Sequence, residues 1–264
     1  VRGNAARRTD LLLAVGLFLG VLLVNQWLFA SAFGLTYDEP VYQAVGARHV
    51  GWLGRVLHGD TEAFSRAGFE AGWGNYGSRP TEADWHPPIA KVWEELWRRL
   101  PSPFGPFAQF RLGASLLFAL TAAALFLWLR SLAGRTAALA AALAWVTLPN
   151  AVAHGNLAAL DGPVTALSVL ALWQAQRVMT RPTWRGGAWF GLWLALSMGA
   201  KFNGVLTLPA VLIVAAGRRR EALKPLILGA CVVAPLVFFL TWPWLWYDGF
   251  THLRQVIAFH GRHS

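Results

Sequence analysis

Two short clusters carry residue types that can do acid-base chemistry: Thr36-Tyr37-Asp38-Glu39-Pro40 and Trp85-His86-Pro87-Pro88-Ile89-Ala90-Lys91. The first follows an apolar run long enough to cross a bilayer, and the second lies in the polar segment before the next run. A carboxylate at a membrane exit is partly desolvated, so its pKa rises and it can take a proton from a hydroxyl. Either Asp38 or Glu39 suits that role. A purely structural role is also open, with Asp38 capping a helix whose first turn holds Pro40. The two roles are compatible, because a cap also fixes the carboxylate in place. In the second cluster the prolines stiffen the approach to a helix, and Lys91 beside a helix N-terminus makes an anion site. The competing reading pairs Lys91 with Glu94 or Glu95 at i+3 and i+4. Three lysines stand against twenty arginines, so a lysine inside a motif stands out. His86 alone reads first as structural.

A second set lies further along. Asp161 falls near the outer start of an apolar run, where an ionisable group faces a cavity or a partner. Lys201 breaks the apolar stretch 187–216, and a rise of about 1.5 Å per residue places it at a depth similar to Asp161, roughly 20 Å across. A buried Asp161–Lys201 ion pair between helices is the structural alternative. His154 and Asn156 sit on the short outer turn before Asp161 and are individually weak signals. All of these residues map to one side of the membrane, and only arginine clusters occupy the other.

The elements that must position them are transmembrane helices. The chain has 264 residues, is 56% hydrophobic and contains 15 Trp, which excludes an ordinary soluble domain and fits a multi-span membrane protein with ring anchors at headgroup level. The formal charge of +10 does not point to nucleic acid, because the arginines sit in short loops between apolar runs, as the positive-inside rule expects. Apolar runs cover 11–33, 110–129, 136–149, 157–178, 187–216 and 226–246. The fifth is too long for one span and too short for two full ones, so two short half-helices meeting near Lys201 are expected, with irregular backbone lining a cavity. The fold class is therefore all-α and polytopic, with about seven hydrophobic segments. Arg2, Arg7 and Arg8 place the N-terminus in the cytoplasm and the 35–108 segment outside. Within that segment Val41, Val45, Trp52, Leu53 and Val56 recur at helical spacing. So do Ile89, Val92, Trp93, Leu96 and Leu100, with Glu94, Glu95, Arg98 and Arg99 opposite. Both stretches read as helices lying flat at the interface, joined by an irregular, Gly-rich loop over 59–79. Cys231 is the single cysteine, so no disulfide framework forms within the chain. No phosphate-binding glycine loop, zinc spacing or nucleophile elbow is present, which removes support for ATP-driven transport and zinc hydrolysis.

The ordered motifs resemble those of the GT-C glycosyltransferases, in particular the protein O-mannosyltransferase-like, phospholipid carrier-dependent branch found in bacteria. They are Asp38-Glu39, His86-Pro-Pro-x-x-Lys91, Ala153-His154-Gly155-Asn156-Leu157-x-x-Leu160-Asp161 and Gly191-Leu192-x5-Met198-x-x-Lys201-Phe202-x-Gly204. Trp242-Pro243-Trp244-Leu245-Trp246 and Phe259-His260-x-x-His263 continue the likeness. It runs over nearly the whole chain. Members of the family are longer, so residues 1–264 are expected to form an N-terminal transmembrane catalytic module. Residues 156–160 hold no cation, a departure from the protein-mannosylating pattern.

The resemblance implies an inverting transfer of a sugar, mannose or another hexose or pentose, from a polyprenyl-phosphate donor to an acceptor hydroxyl. The site would lie on the extracytoplasmic face of a bacterial inner membrane; high Ala, Arg and Trp with scarce Lys suits a GC-rich bacterial genome. It makes Asp38 the base, Lys91 and then Lys201 the donor-phosphate cations, and Glu39 and His86 orienting groups. Asp161 would hold Lys201 or a sugar hydroxyl. Some GT-C enzymes use a divalent metal, and His86, His154, Asp161 and Glu39 are the candidate ligands, although their spacing does not choose. The alternative from another class is a transporter or flippase of a lipid-linked or anionic solute. Charges at the outer face rather than the midplane, and the lack of a sequence repeat, weigh against it.

Overall fold

The computed structural model describes residues 2–32, 34–74 and 85–263, with the side chains of 2–5, 260, 262 and 263 left out of the description. His260 and His263 of the closing motif therefore lie outside the described side chains. Among the described residues the chain is helical, without strands. Helix α1 (Arg2–Val24) runs into a π-turn at Asn25–Phe29, and together they form the first apolar span. After a short connection come α2 (Asp38–Leu57), a 3₁₀ turn at Thr61–Phe64 and α3 (Arg66–Trp73). Beyond residues 75–84, which are not described, follow α4 (Ile89–Arg98), α5 (Pro106–Phe110) and α6 (Leu112–Thr147).

Gly134 interrupts α6 at φ 88°, splitting it into two helical pieces. That conformation is open to glycine at no cost. It divides the 110–129 and 136–149 runs as expected, within one element. The chain continues through α7 (Pro149–Gly155), α8 (Asp161–Thr180), α9 (Trp184–Ala200), a 3₁₀ turn at Phe202–Leu206 and α10 (Thr207–Arg218). Then α11 (Leu223–Leu228), a π-turn at Gly229–Val233 and α12 (Ala234–Thr241) form another apolar span. A 3₁₀ turn at Pro243–Leu245 leads to α13 (Gly249–His263).

The break at Lys201 is where the sequence places it: Lys201 is extended between α9 and the 3₁₀ turn. The flanking pieces are unequal: α10, with 12 residues, falls short of a full span, and α9 is longer than a half-helix. Helix α9 has 17 residues, about 25 Å at the helical rise. The core runs between α8, α9 and the last span, around Phe190, Leu194, Val211 and Leu226. Glycines set the approach of α9 to that span. A side chain at Gly187 would strike the Pro225 carbonyl, and one at Gly191 the Gly229 carbonyl. The Gly187-x-x-x-Gly191 spacing is the small-residue pattern by which membrane helices bring backbones into contact.

One expectation fails in the outer segment. The stretch after Gly59 is not irregular up to Trp73. The indole of Trp52 donates to the Ala63 carbonyl at 2.8 Å, and Trp52 packs with Phe64, Phe69 and Trp73, so aromatic burial orders the turn and α3. Helix α4 keeps the expected amphipathic pattern, with its apolar face outward. Ala90, Lys91, Glu94 and Glu95 are buried, while Leu96 and Leu100 are about half exposed. In a membrane protein the apolar face can point to lipid, so the polar face turns inward against α2 and α6.

Candidate functional site

Glu39 and Asp38 are neighbours with opposite environments. Glu39 is fully buried and its carboxylate accepts five hydrogen bonds. Arg111 donates two, at 2.7 Å each. Thr36 donates from its amide and its hydroxyl, at 2.9 and 3.2 Å, and the Ala158 amide donates at 2.9 Å. Burial pushes this carboxyl up, but Arg111 and the Thr36 and Ala158 amides outweigh it and hold it below the usual carboxylate range. A carboxylate offers about four lone-pair sites, so Glu39 has no capacity left for a substrate proton. Thr36-x-x-Glu39 is also the spacing of a capping box, with the glutamate reaching back to the threonine amide. Asp38 does not cap the helix, because Glu39 has taken that task. Asp38 is exposed in the first turn of α2 and makes no hydrogen bond or ion pair with any described residue.

Arg111 is the residue that sequence reasoning missed. It is fully buried at the head of α6, and it also donates to the carbonyls of Ala30 and Gly34 at 2.8 Å. It thus ties α1, the α2 entry and α6 together. A lone arginine opening an apolar run was its signal, since a charge there needs a partner.

The residues that precede Lys91, Asp161 and Lys201 meet in the core. Ala90, Leu160 and Ala200 share one buried cluster, packed against Tyr42. Each of the three charged residues is the next residue in the chain. Tyr42 lies four positions after Asp38, on the same face of α2. Lys201 donates to Asp161 at 2.6 Å, so the expected pair forms, and it stays partly exposed. His154 stands 3.8 Å from the other Asp161 oxygen, and both line a cavity of about 310 Å³ with Asn150 and Thr165. Asn156 is buried instead. Its amide donates to the Val152 carbonyl at 2.6 Å, and its Oδ1 has no partner among the described residues.

Lys91 is 2% exposed and donates to the His86 carbonyl at 2.6 Å. The expected helix pairing takes another form, with Glu95 held by Arg98 and Arg99. Lys91 and His86 line a narrow cleft together with Arg48, His49, Trp242 and Trp244. Two further basic side chains therefore join the two that the sequence suggested. His49 stacks on Trp73 with 4.2 Å between ring centroids, and Trp244 stacks on His252 at 3.7 Å. The Trp-Pro-Trp turn thus forms one wall of a basic, aromatic cleft. The ring of His86 meets Tyr42 edge-on, which links this cleft to the Asp38 face of α2.

Among the described residues no group of three or more His, Cys, Asp or Glu side chains gathers closely enough to hold a metal ion. His86, His154, Asp161 and Glu39 do not form a common ligand set.

The sequence model of the family described as dolichyl-phosphate-mannose-protein mannosyltransferase matches residues 86–247. That span covers well over half of the chain and takes in the His-Pro-Pro-x-x-Lys motif, Asp161, Lys201 and the Trp-Pro-Trp turn. No curated protein and no solved structure matches the chain. An all-helical membrane architecture, apolar spans and this match agree: the chain belongs to the dolichyl-phosphate-mannose-protein mannosyltransferase family and is a glycosyltransferase of GT-C type.

Proposed function

We propose that the chain moves a sugar from a polyprenyl-phosphate donor to an acceptor hydroxyl at the extracytoplasmic face of a bacterial inner membrane, with inversion at the anomeric carbon. The contrast between Asp38 and Glu39 carries the reading. A buried arginine saturates one carboxylate, which fixes the backbone beneath it, and leaves the other open at the surface. Asp38 takes the proton of the acceptor hydroxyl. The acceptor oxygen bonds to the anomeric carbon as the bond from that carbon to the phosphate oxygen breaks. The electron pair leaves on the polyprenyl phosphate, an anion that needs no strong general acid.

Positive charge is needed where that phosphate departs. Lys91 is the first source, with Arg48, His49 and His86 lining the same narrow cleft, which the His86–Tyr42 ring contact links to the Asp38 helix. Lys201 is the second source. Its bond to Asp161 positions it, and His154 beside Asp161 is available to a sugar hydroxyl. A transferase family leaves little room for the transporter alternative, and the geometry adds nothing in its favour.

The donor class is tested by presenting the purified protein with mannose labelled on polyprenyl phosphate or on a nucleotide. The reading expects label to leave the polyprenyl donor only. Release from the nucleotide sugar alone contradicts it.

A further inference from the structure

A second built cavity lies at the other end of the bundle. Helix α8 carries Asp161 in its first turn and Arg177 in its last. Its 20 residues separate the two ends by about 30 Å, the thickness of a hydrocarbon core. At the Arg177 end four helices, α1, α6, α8 and α9, surround a cleft of about 1180 Å³. That exceeds the ~300–1,000 Å³ typical of small-molecule sites.

Each helix gives one face to it. Gln174, Arg177, Val178 and Arg181 of the α8 segment follow i, i+3, i+4, i+7 spacing. Gly186, Trp189 and Trp193 do the same on α9. The charge is of one sign. Asp10 is the one carboxylate among the described lining residues, and Arg130 and Arg135 already hold it at 3.1 and 2.7 Å. Arg7, Arg177 and Arg181 are exposed at the rim and have no ion-pair partner among the described residues. The N-terminus of α9 adds its positive end beside Thr183. Polarity is layered with depth. Trp173 lies eight residues before Arg181, about 12 Å further into the membrane. Leu11, Leu127 and Trp193 make the deeper walls apolar.

We propose that this cleft binds an anionic phospholipid of the adjacent leaflet. Its phosphate sits among Arg7, Arg177 and Arg181, and an acyl chain lies along Trp173 and Trp193. A rim of unpaired guanidinium groups selects an anion, and a wall of leucine and tryptophan reaching into the hydrocarbon layer selects one that carries a chain. This inference is independent of the sugar-transfer reading, because the cleft lies at the opposite membrane face from Asp38.

The test is lipid titration of the full chain in neutral detergent, read by native mass spectrometry with phosphatidylglycerol and phosphatidylcholine of matched acyl chains. Phosphatidylglycerol is expected to bind tighter, on the order of tenfold. The double substitution Arg177→Gln/Arg181→Gln should reduce it to the phosphatidylcholine level, and Arg177→Lys/Arg181→Lys should retain most of the preference. Should the glutamine pair fail to fold, Arg7→Gln on the opposite wall gives the same test. Equal affinity for the two lipids overturns the proposal, as does unchanged binding in the glutamine variants. Displacement by millimolar inorganic phosphate would make this a free-anion site, and absence of any bound lipid would mean that protein fills the cleft. Either result also overturns it.

Discussion

Glu39 and Arg111 lie 72 residues apart in the chain and meet in a two-pronged ion pair with neither side chain exposed. Removing one partner of such a pair leaves a buried charge uncompensated, at a cost of about 3–5 kcal/mol. Arg111→Ala should therefore lower the thermal unfolding temperature in detergent sharply. Arg111→Lys should recover little, because one ammonium cannot serve two carboxylate oxygens and the carbonyls of Ala30 and Gly34 together. The Glu39 carboxyl titrates below its ordinary value in the folded chain. Its contribution to stability is thus complete above the ordinary carboxylate range and is lost as pH falls through the lowered value. Glu39→Gln should flatten that acid limb of the stability profile.

Glu94 gives the opposite sign. It is buried with no cation beside it among the described residues, the nearby Ala114 amide only partly offsets that burial, and Gly113 packs directly on it. Burial raises its pKa well above the ordinary value, and the nearby Glu39 charge adds to the effect. The folded chain keeps this proton while the unfolded chain loses it. Stability therefore declines as pH rises above the ordinary carboxylate range, by up to ~1.4 kcal/mol per unit, until the folded value is reached. Glu94→Gln should remove the decline and match or exceed wild-type stability near neutral pH in an unfolding series across pH.

The Lys201–Asp161 pair is partly exposed, with 25% and 44% of the side-chain surface open. Such pairs contribute about 0–1 kcal/mol. Lys201→Met and Asp161→Asn should shift unfolding little yet lower sugar transfer at least tenfold, through loss of charge at the departing phosphate or of a sugar contact. A large unfolding shift with proportionate loss of activity would make the pair a structural tie.

Helix α9 meets the last span through glycine. Gly191→Ile would drive a side chain into the Gly229 backbone. Overpacking of this kind costs about 1–3 kcal/mol. The variant should unfold at lower temperature and express poorly, and Gly20→Ala, which has open space around it, should not.

The spans and the break at Lys201 were legible in the sequence, because hydropathy over twenty residues and a lysine inside an apolar run are local signals. Helical rise also set Lys201 and Asp161 at similar depth, with an ion pair between them as one of two readings. Glu39 with Arg111 was not legible. Each looks ordinary in its own stretch, and only packing of α6 against α2 brings the guanidinium to the carboxylate. The Thr36-x-x-Glu39 capping spacing pointed to a structural task for Glu39, and the lone Arg111 asked for a partner. The amphipathic pattern of α4 was legible, but it says nothing about which face meets lipid and which meets protein. The basic cleft was half visible: His86 and Lys91 stand in one motif, but Arg48 and His49 reach it from a different helix.

The central claim is that Asp38 activates the acceptor. The most direct measurement is transfer of labelled sugar from polyprenyl phosphate to acceptor in membranes, by wild type and by Asp38→Asn at matched expression. Asp38 has no partner to lose among the described residues, so the variant should fold as wild type does. Its transfer rate should drop by about 10²–10⁴, the range that general-base catalysis supplies. Transfer at the wild-type rate by the folded variant would contradict the account and remove Asp38 from the mechanism.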